Sequence, residues 1–134
     1  MKINKLQQKI LLIFITIMAT LFSTGEACAQ DKTSYKRIAR VVIDSAKLES
    51  YKVALKEGME AAVRKEPGVL SLSAVYEKDN PTHVTVFEIY ADEDGYKSHI
   101  QTAHFKKYKN TVEGMVKSLV LVDVLPIALE AKPK

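Results

Sequence analysis

Between Tyr35 and Leu125 the spacing of apolar residues passes through a fixed succession of strand-like and helix-like segments, and that succession restricts the fold more than any other feature. Tyr35 to Asp44 carries the β-branched cluster Val41-Val42-Ile43 and reads as a first strand. Ser45 is a candidate helix cap; after it Leu48, Tyr51, Leu55, Met59, Ala62 and Val63 recur at three- and four-residue steps and share one helical face. The helix is expected to stop at Glu66-Pro67-Gly68, because proline disfavours helical geometry in the residue before it and glycine opens a turn.

Val69 to Tyr76 then alternates, with Leu70, Leu72, Ala74 and Tyr76 on one face, and is expected to be a second strand. Asp79-Asn80-Pro81-Thr82 supplies turn chemistry, and His83 to Tyr90 returns as a third strand in a hairpin with the second. Val84, Val86, Glu88 and Tyr90 share one side of it, while Thr85, Phe87 and Ile89 share the other, so both sides are substantially apolar. Asp92 caps a short helical turn with Tyr96, His99 and Ile100 on one face, and Thr102 starts a second helical stretch that aligns Phe105, Tyr108, Val112, Met115 and Val116. Leu119 to Leu125 is apolar at every position but Asp123, the pattern of a strand buried on both faces.

Strand, helix, strand, strand, helix, strand is the α+β, ferredoxin-like split βαβ order (βαββαβ), an antiparallel sheet with helices on one face. The other sheet face would be wet, yet the third and fourth strands carry apolar residues on both sides. Large exposed apolar patches mark interfaces, so a second copy is expected to cover it as a homodimer. The tail from Ala128 to Lys134 has no pattern and is expected to fray.

The residues ahead of this domain have a different logic. Lys2, Lys5 and Lys9 precede an apolar run from Ile10 to Phe22, followed by Ala27-Cys28-Ala29; this is the layout of a secretory signal cut after Ala29. Residues 1–29 are thus expected to be a signal peptide and 30–134 the folded domain, exported to a periplasm or secreted. The apolar run is shorter than the roughly 18–20 residues that cross a bilayer as a helix. Lipidation of Cys28 is the alternative, although Gly25-Glu26-Ala27 lacks the apolar residue expected three positions upstream of a lipoprotein cysteine. Membrane contact is therefore expected only through the signal or a lipidated Cys28. Without Lys2, Lys5, Lys9 and Glu26 the chain's 20 basic and 16 acidic residues become 17 and 15, so most of the net positive charge belongs to the signal. No basic run interleaved with aromatics remains, which argues against nucleic acid as a partner. Cys28 is the only cysteine, so a chain cut after Ala29 has no disulfide, thiol nucleophile or cysteine-ligated metal.

Within this frame the stretch from Glu66 to Val116 shows Glu66-Pro67-Gly68, an aromatic-ended hairpin, Phe87-Glu88-Ile89-Tyr90-Ala91-Asp92, His99, His104-Phe105 and Thr111-Val112. This resembles the antibiotic biosynthesis monooxygenase (ABM) family, and within it small quinol monooxygenase-like proteins and a branch that isomerises a phosphorylated signalling sugar. The resemblance implies a dimeric α+β barrel, with two sheets packed together and a pocket in each subunit between sheet and helices. It also implies oxidation of electron-rich phenols or quinols by molecular oxygen with no metal, flavin or other cofactor. Such chemistry needs a base to form the phenolate and a dry pocket to shelter intermediates. The heme-degrading branch matches poorly, since Tyr90 stands near its tryptophan position and Tyr108-Lys109 near its histidine position, and the chain has no tryptophan. Heme is not expected.

On this reading Glu88 and His99 are the candidate catalytic residues, and Tyr76, Tyr90, His104 and Phe105 the candidate substrate-binding residues. Each also has a plainer explanation. Glu88 shares a side with Val84, Val86 and Tyr90 and needs a partner if buried, which a backbone or tyrosine group would supply. His99 lies on an apolar helix face, where an imidazole either packs or, with a neighbouring carboxylate, titrates near neutral pH. His104 sits near a helix start and either caps it or covers the pocket, and the three aromatic residues can simply be core. His83, expected to be exposed beside its turn, forms no standard metal-ligand spacing with His99 and His104, so no metal is expected. The expected substrate is a small quinol or hydroxylated aromatic; the alternatives are a proton-transfer isomerase of a small carbonyl or sugar-derived substrate, and a non-enzymatic small-ligand-binding protein.

Overall fold

A computed structural model describes residues 34–132, so the signal-like segment 1–29, with Cys28, lies outside the described residues. Strand β1 (Tyr35–Ile43) leads through a 3₁₀ turn (Ser45–Lys47) into helix α1 (Leu48–Lys65). The hairpin of β2 (Val69–Tyr76) and β3 (His83–Tyr90) follows, then α2 (Glu93–His99), α3 (Ala103–Thr111) and β4 (Val116–Asp123). The strands form one four-stranded sheet in the order β2-β3-β1-β4, with each neighbouring pair antiparallel. This is the expected split βαβ plan. Among the described residues no helix is long and apolar enough to cross a membrane.

Strand alternation builds the core. Ala39, Val41 and Ile43 of β1 and Val84 and Val86 of β3 are buried with Tyr51 of α1 and Val112 just beyond α3. A second cluster joins Ala62 near the end of α1 to Val69 and Tyr90. The helix caps follow the sequence signals for α2, where Asp92 accepts from the Gly95 N–H at 2.7 Å, and for α3, where Thr102 accepts from the Phe105 N–H at 3.3 Å. At the first helical turn the cap is Asp44 rather than Ser45: its carboxylate accepts from the Ala46 N–H at 3.0 Å and Ser45 lies inside the turn.

Two strands depart from their simple reading. In β2 the pairing with β3 shifts between Val69 and Ser71, so Leu70 is an extra residue and is 50 % exposed instead of joining Leu72. In β4 the apolar run is not buried: Leu119, Val120, Leu121 and Val122 are 45 %, 50 %, 48 % and 37 % exposed. Among the described residues β4 is an edge strand paired only with β1, so little of the domain lies over it.

The approach of α2 to the start of β2 depends on two glycines. A β-carbon on Gly95 would meet the Gly68 carbonyl oxygen at 2.8 Å, and one on Gly68 would meet the Gly95 α-carbon at 2.8 Å. Both opposing atoms are backbone, and the Gly68 oxygen already accepts from the Ala91 N–H at 2.9 Å. Gly95→Ala is therefore expected to cost about 1–3 kcal/mol, read as a lower Tm, despite alanine's better helix propensity. A Tm equal to or above that of the parent protein would refute the close-packed contact.

Candidate active site

A cavity of about 140 Å³ opens between the helix-covered face of the sheet and the three helices. Its floor comes from β1 and β3, where the two-residue period points Arg37, Ala39 and Val41, and Val86, Glu88 and Tyr90, to the same side. Its walls include Tyr51 and Met59 of α1, His99 of α2, and Phe105 and Tyr108 of α3. Leu119 and Leu121 close the β4 side. Part of the lining is aromatic: Tyr90 meets Tyr96 edge-on at 5.4 Å between ring centroids, and His99 meets Phe105 edge-on at 4.8 Å. The Arg37 guanidinium stacks 4.2 Å from the Tyr96 centroid and is held from behind by Asp123 at 2.8 Å.

His99 is 8 % exposed, at the end of α2. Its Nδ1 donates to Glu66 Oε1 at 2.9 Å, and His104 Nε2 donates to the same oxygen. Glu66 is the residue that ends α1, so three helix termini meet at one carboxylate oxygen. The bond fixes His99 as the Nδ1–H tautomer whenever it is neutral, which leaves the lone pair on Nε2. This is the arrangement of a carboxylate-oriented imidazole base.

Glu88 has a different partner. Tyr90 donates its hydroxyl to Glu88 Oε2 at 3.1 Å. Burial pushes the Glu88 carboxyl above its ordinary range, against the opposing pull of the Tyr90 hydrogen bond and of His99 and Arg37. Burial, reinforced by Glu88, also drives the Tyr90 phenol far above its usual value, so Tyr90 remains a neutral donor. Across the cavity the Tyr51 and Tyr108 hydroxyls lie 3.2 Å apart, and burial raises both phenols as well.

The raised Glu88 has a consequence for stability. A folded state that holds this proton more tightly than the unfolded chain gains stability below the ordinary carboxyl value of 4.5 and loses it as pH rises through the higher folded value. Glu88→Gln keeps an oxygen for Tyr90 and removes the buried charge. The variant is expected to be about 1 kcal/mol more stable than the parent at pH 7, with the difference vanishing towards pH 4. Thermal melts at the two pH values test this, and a variant no more stable at pH 7 would refute the burial cost.

Of the residues singled out from the sequence, Glu88, Tyr90, His99 and Phe105 line this one cavity. His104 joins them only through Glu66; it borders a separate shallow hollow between α1 and α3. Tyr76 does not take part. It is 53 % exposed, lies 4.1 Å beneath the Lys52 ammonium, and lines a different cleft of about 710 Å³ between α1 and β2. His83 is remote from the cavity, with its side chain 44 % exposed and its Nδ1 3.2 Å from Asn80. The carboxylate next to His99 is thus Glu66, which the sequence marks as a helix stop and as part of the family-like motif but not as a site residue. One signal was present, since a carboxylate at a helix C-terminus opposes the macrodipole and calls for a compensating partner. Arg37 was also missed, although strand alternation with Ala39 and Val41 places it on the cavity side.

Known proteins share this fold. A family model described as antibiotic biosynthesis monooxygenase matches residues 34–111. A crystal structure from Bacteroides thetaiotaomicron, provisionally described as an antibiotic biosynthesis monooxygenase, is 51 % identical, covering 76 % of this chain and 97 % of that one, with a TM-score of 0.72. A monooxygenase, so described provisionally, from Lactobacillus acidophilus is 28 % identical over 71 % of this chain and 45 % of that one, with a TM-score of 0.69. A Nitrosomonas europaea protein, 24 % identical over 70 % of this chain and 99 % of its own, shares the fold with a TM-score of 0.66. No curated protein matches at a significant level.

Proposed function

Because the chain belongs to the antibiotic biosynthesis monooxygenase family, we propose that it is a cofactor-independent oxygenase of a small quinol or hydroxylated aromatic, with His99 as the base. The observation that carries this reading is the Glu66-oriented imidazole set in an aromatic-walled cavity. The size limits the substrate: a cavity of about 150 Å³ is enough for one benzene ring, so a single-ring compound is favoured over a fused polycycle.

In this mechanism His99 Nε2 takes the phenolic proton, and Glu66 stabilises the imidazolium that results. The phenolate is rich enough in electrons to reduce dioxygen directly. A quinol with a free ring C–H then leaves as a hydroxyquinone plus water, one oxygen atom entering the ring and the other the water. The substrate supplies every electron, so no external reductant is required. Phe105, Tyr90 and Tyr96 pack the ring, and Arg37 and the Tyr90–Glu88 pair offer polar contacts to its oxygens. Labelled dioxygen tests the scheme: one labelled atom should appear in the product, and turnover that persists without oxygen would sink it.

A second reading rests on Glu88, whose raised proton affinity suits it to act as an acid opposite the His99 base. That pair fits proton-transfer isomerisation of a carbonyl compound, which would run anaerobically and fail in Glu88→Gln. We also propose that a second copy covers the open sheet face and the β4 edge, completing the wall around Leu119 and Leu121. Export is proposed from the pattern of residues 1–29. A mature mass beginning at Gln30 is the expected result, and a full-length or lipid-modified chain would count against cleavage after Ala29.

A further inference from the structure

The convergence of Glu66, His99 and His104 carries more than the orientation of one imidazole. Each offers one ligand atom, and the three atoms lie within 4.8 Å of one another. They come from sequence positions 33 and 38 residues apart and meet because α1 ends where α2 ends and α3 begins. His104 keeps 20 % of its side chain exposed while Glu66 and His99 keep 10 % each, so the cluster has a solvent path on one side and protein on the other.

We propose that Glu66, His99 and His104 form a three-ligand site for a divalent first-row transition ion, filled by replacing the hydrogen bonds that now join them. Two imidazoles and one carboxylate are a donor set that suits zinc, and in an octahedral field ferrous iron, with positions left for water. Ligand atoms on a tetrahedral zinc stand about 3.3 Å apart for bonds of roughly 2.0–2.2 Å. The His99–Glu66 separation of 2.9 Å therefore has to open by a few tenths of an ångström, and the His99–His104 side, the widest at up to 4.8 Å, has to close by about 1.5 Å through small ring rotations. The charge balance is also suitable: the carboxylate and the negative end of α1 face the ion and oppose the positive end of α3. Among the described residues, His83 does not belong to the cluster.

The site would regulate the chemistry proposed above, and this part rests on that reading. An ion on His99 Nδ1 leaves the remaining ring proton on Nε2, the atom assigned as base. A loaded protein would therefore bind its aromatic substrate but not deprotonate it.

Tag-free protein stripped with chelator and titrated with zinc in a calorimeter tests the site without reference to turnover. One ion per chain is expected, weakened at least about tenfold in His104→Ala and in Glu66→Gln and unchanged in His83→Ala. Absence of binding to the parent protein, or affinity in both ligand variants equal to the parent's, overturns the proposal. Should a variant lose its fold by circular dichroism, cobalt-induced paramagnetic shifts of the parent histidine ring protons decide instead. Shifts of the His99 and His104 signals are expected, and shifts confined to His83 overturn the site. Activity separates the two claims: binding with turnover unchanged retains the ion site and removes His99 as base.

Discussion

Replacing His99 with alanine is expected to lower oxygen consumption on the true substrate by roughly 10²–10⁴-fold, the usual worth of a positioned general base, with the loss in kcat rather than KM. The cavity walls that would hold the ring, chiefly Phe105, Tyr90 and Tyr96, survive the change, so binding is largely preserved. Some stability is lost as well. Glu66 keeps only His104, and the void and the weaker hydrogen bonding together cost about 1–3 kcal/mol. Turnover must therefore be read at a temperature where the variant is folded. Glu66→Gln should fall between the parent and His99→Ala, because its amide oxygen still accepts from Nδ1 but no longer stabilises an imidazolium by charge. Equal turnover in the parent and His99→Ala would remove His99 from the chemistry and leave Glu88 as the acid–base candidate.

Phe87→Lys is expected to convert a dimer into a monomer. The strand register puts Val122, Ile38, Phe87 and Ser73 in one row across the sheet face turned away from the helices. Neighbouring rows add Ile89 with Lys36, and Thr85 with Arg40 and Val120. None of the strand residues in these rows is acidic. A lysine at position 87 would thus have no carboxylate among the strand residues of these rows, and an aspartate there would meet Lys36 and Arg40 instead. In a two-fold dimer that joins sheet to sheet the same charge enters twice. Each buried, unpaired ammonium costs several kcal/mol, so Kd should rise by at least about 100-fold. The lone chain should tolerate the change, since Phe87 is only half-buried within it. Sedimentation at micromolar concentration reads the outcome. A parent protein that sediments as a monomer, or a variant dimer of equal affinity, would exclude pairing through this face.

Both predictions draw on features that differ in how far the sequence reveals them. The row containing Phe87 and the opposite row containing Glu88 and Tyr90 were legible because a strand turns successive side chains to opposite faces whatever lies nearby. His99 was legible as an inward residue for the same kind of reason, through helical spacing with Tyr96 and Ile100. Tyr76 shows the limit of that logic. Alternation put it on the helix-facing side with Glu88, and it is paired there with Val84, but α1 leaves its end of β2 uncovered and the ring faces a separate cleft. The bulge at Leu70 was likewise invisible, because an unpaired extra residue appears only when two strands are laid together.

The sequence by itself determined the order of elements, the helix stop at Pro67-Gly68 and the side of each strand or helix on which Glu88, Tyr90, His99 and Phe105 lie. These depend on backbone period and local steric limits, which a short stretch of chain carries within itself. Only the tertiary structure decided that the carboxylate meeting His99 is Glu66 rather than Glu88, that His104 shares it, and that the apolar β4 stays open in a single chain. Those outcomes are distances between separate elements, set by how close the helices approach across Gly68 and Gly95 and by which strand finishes at the sheet edge. Periodicity fixes a direction, but packing fixes who stands at its end.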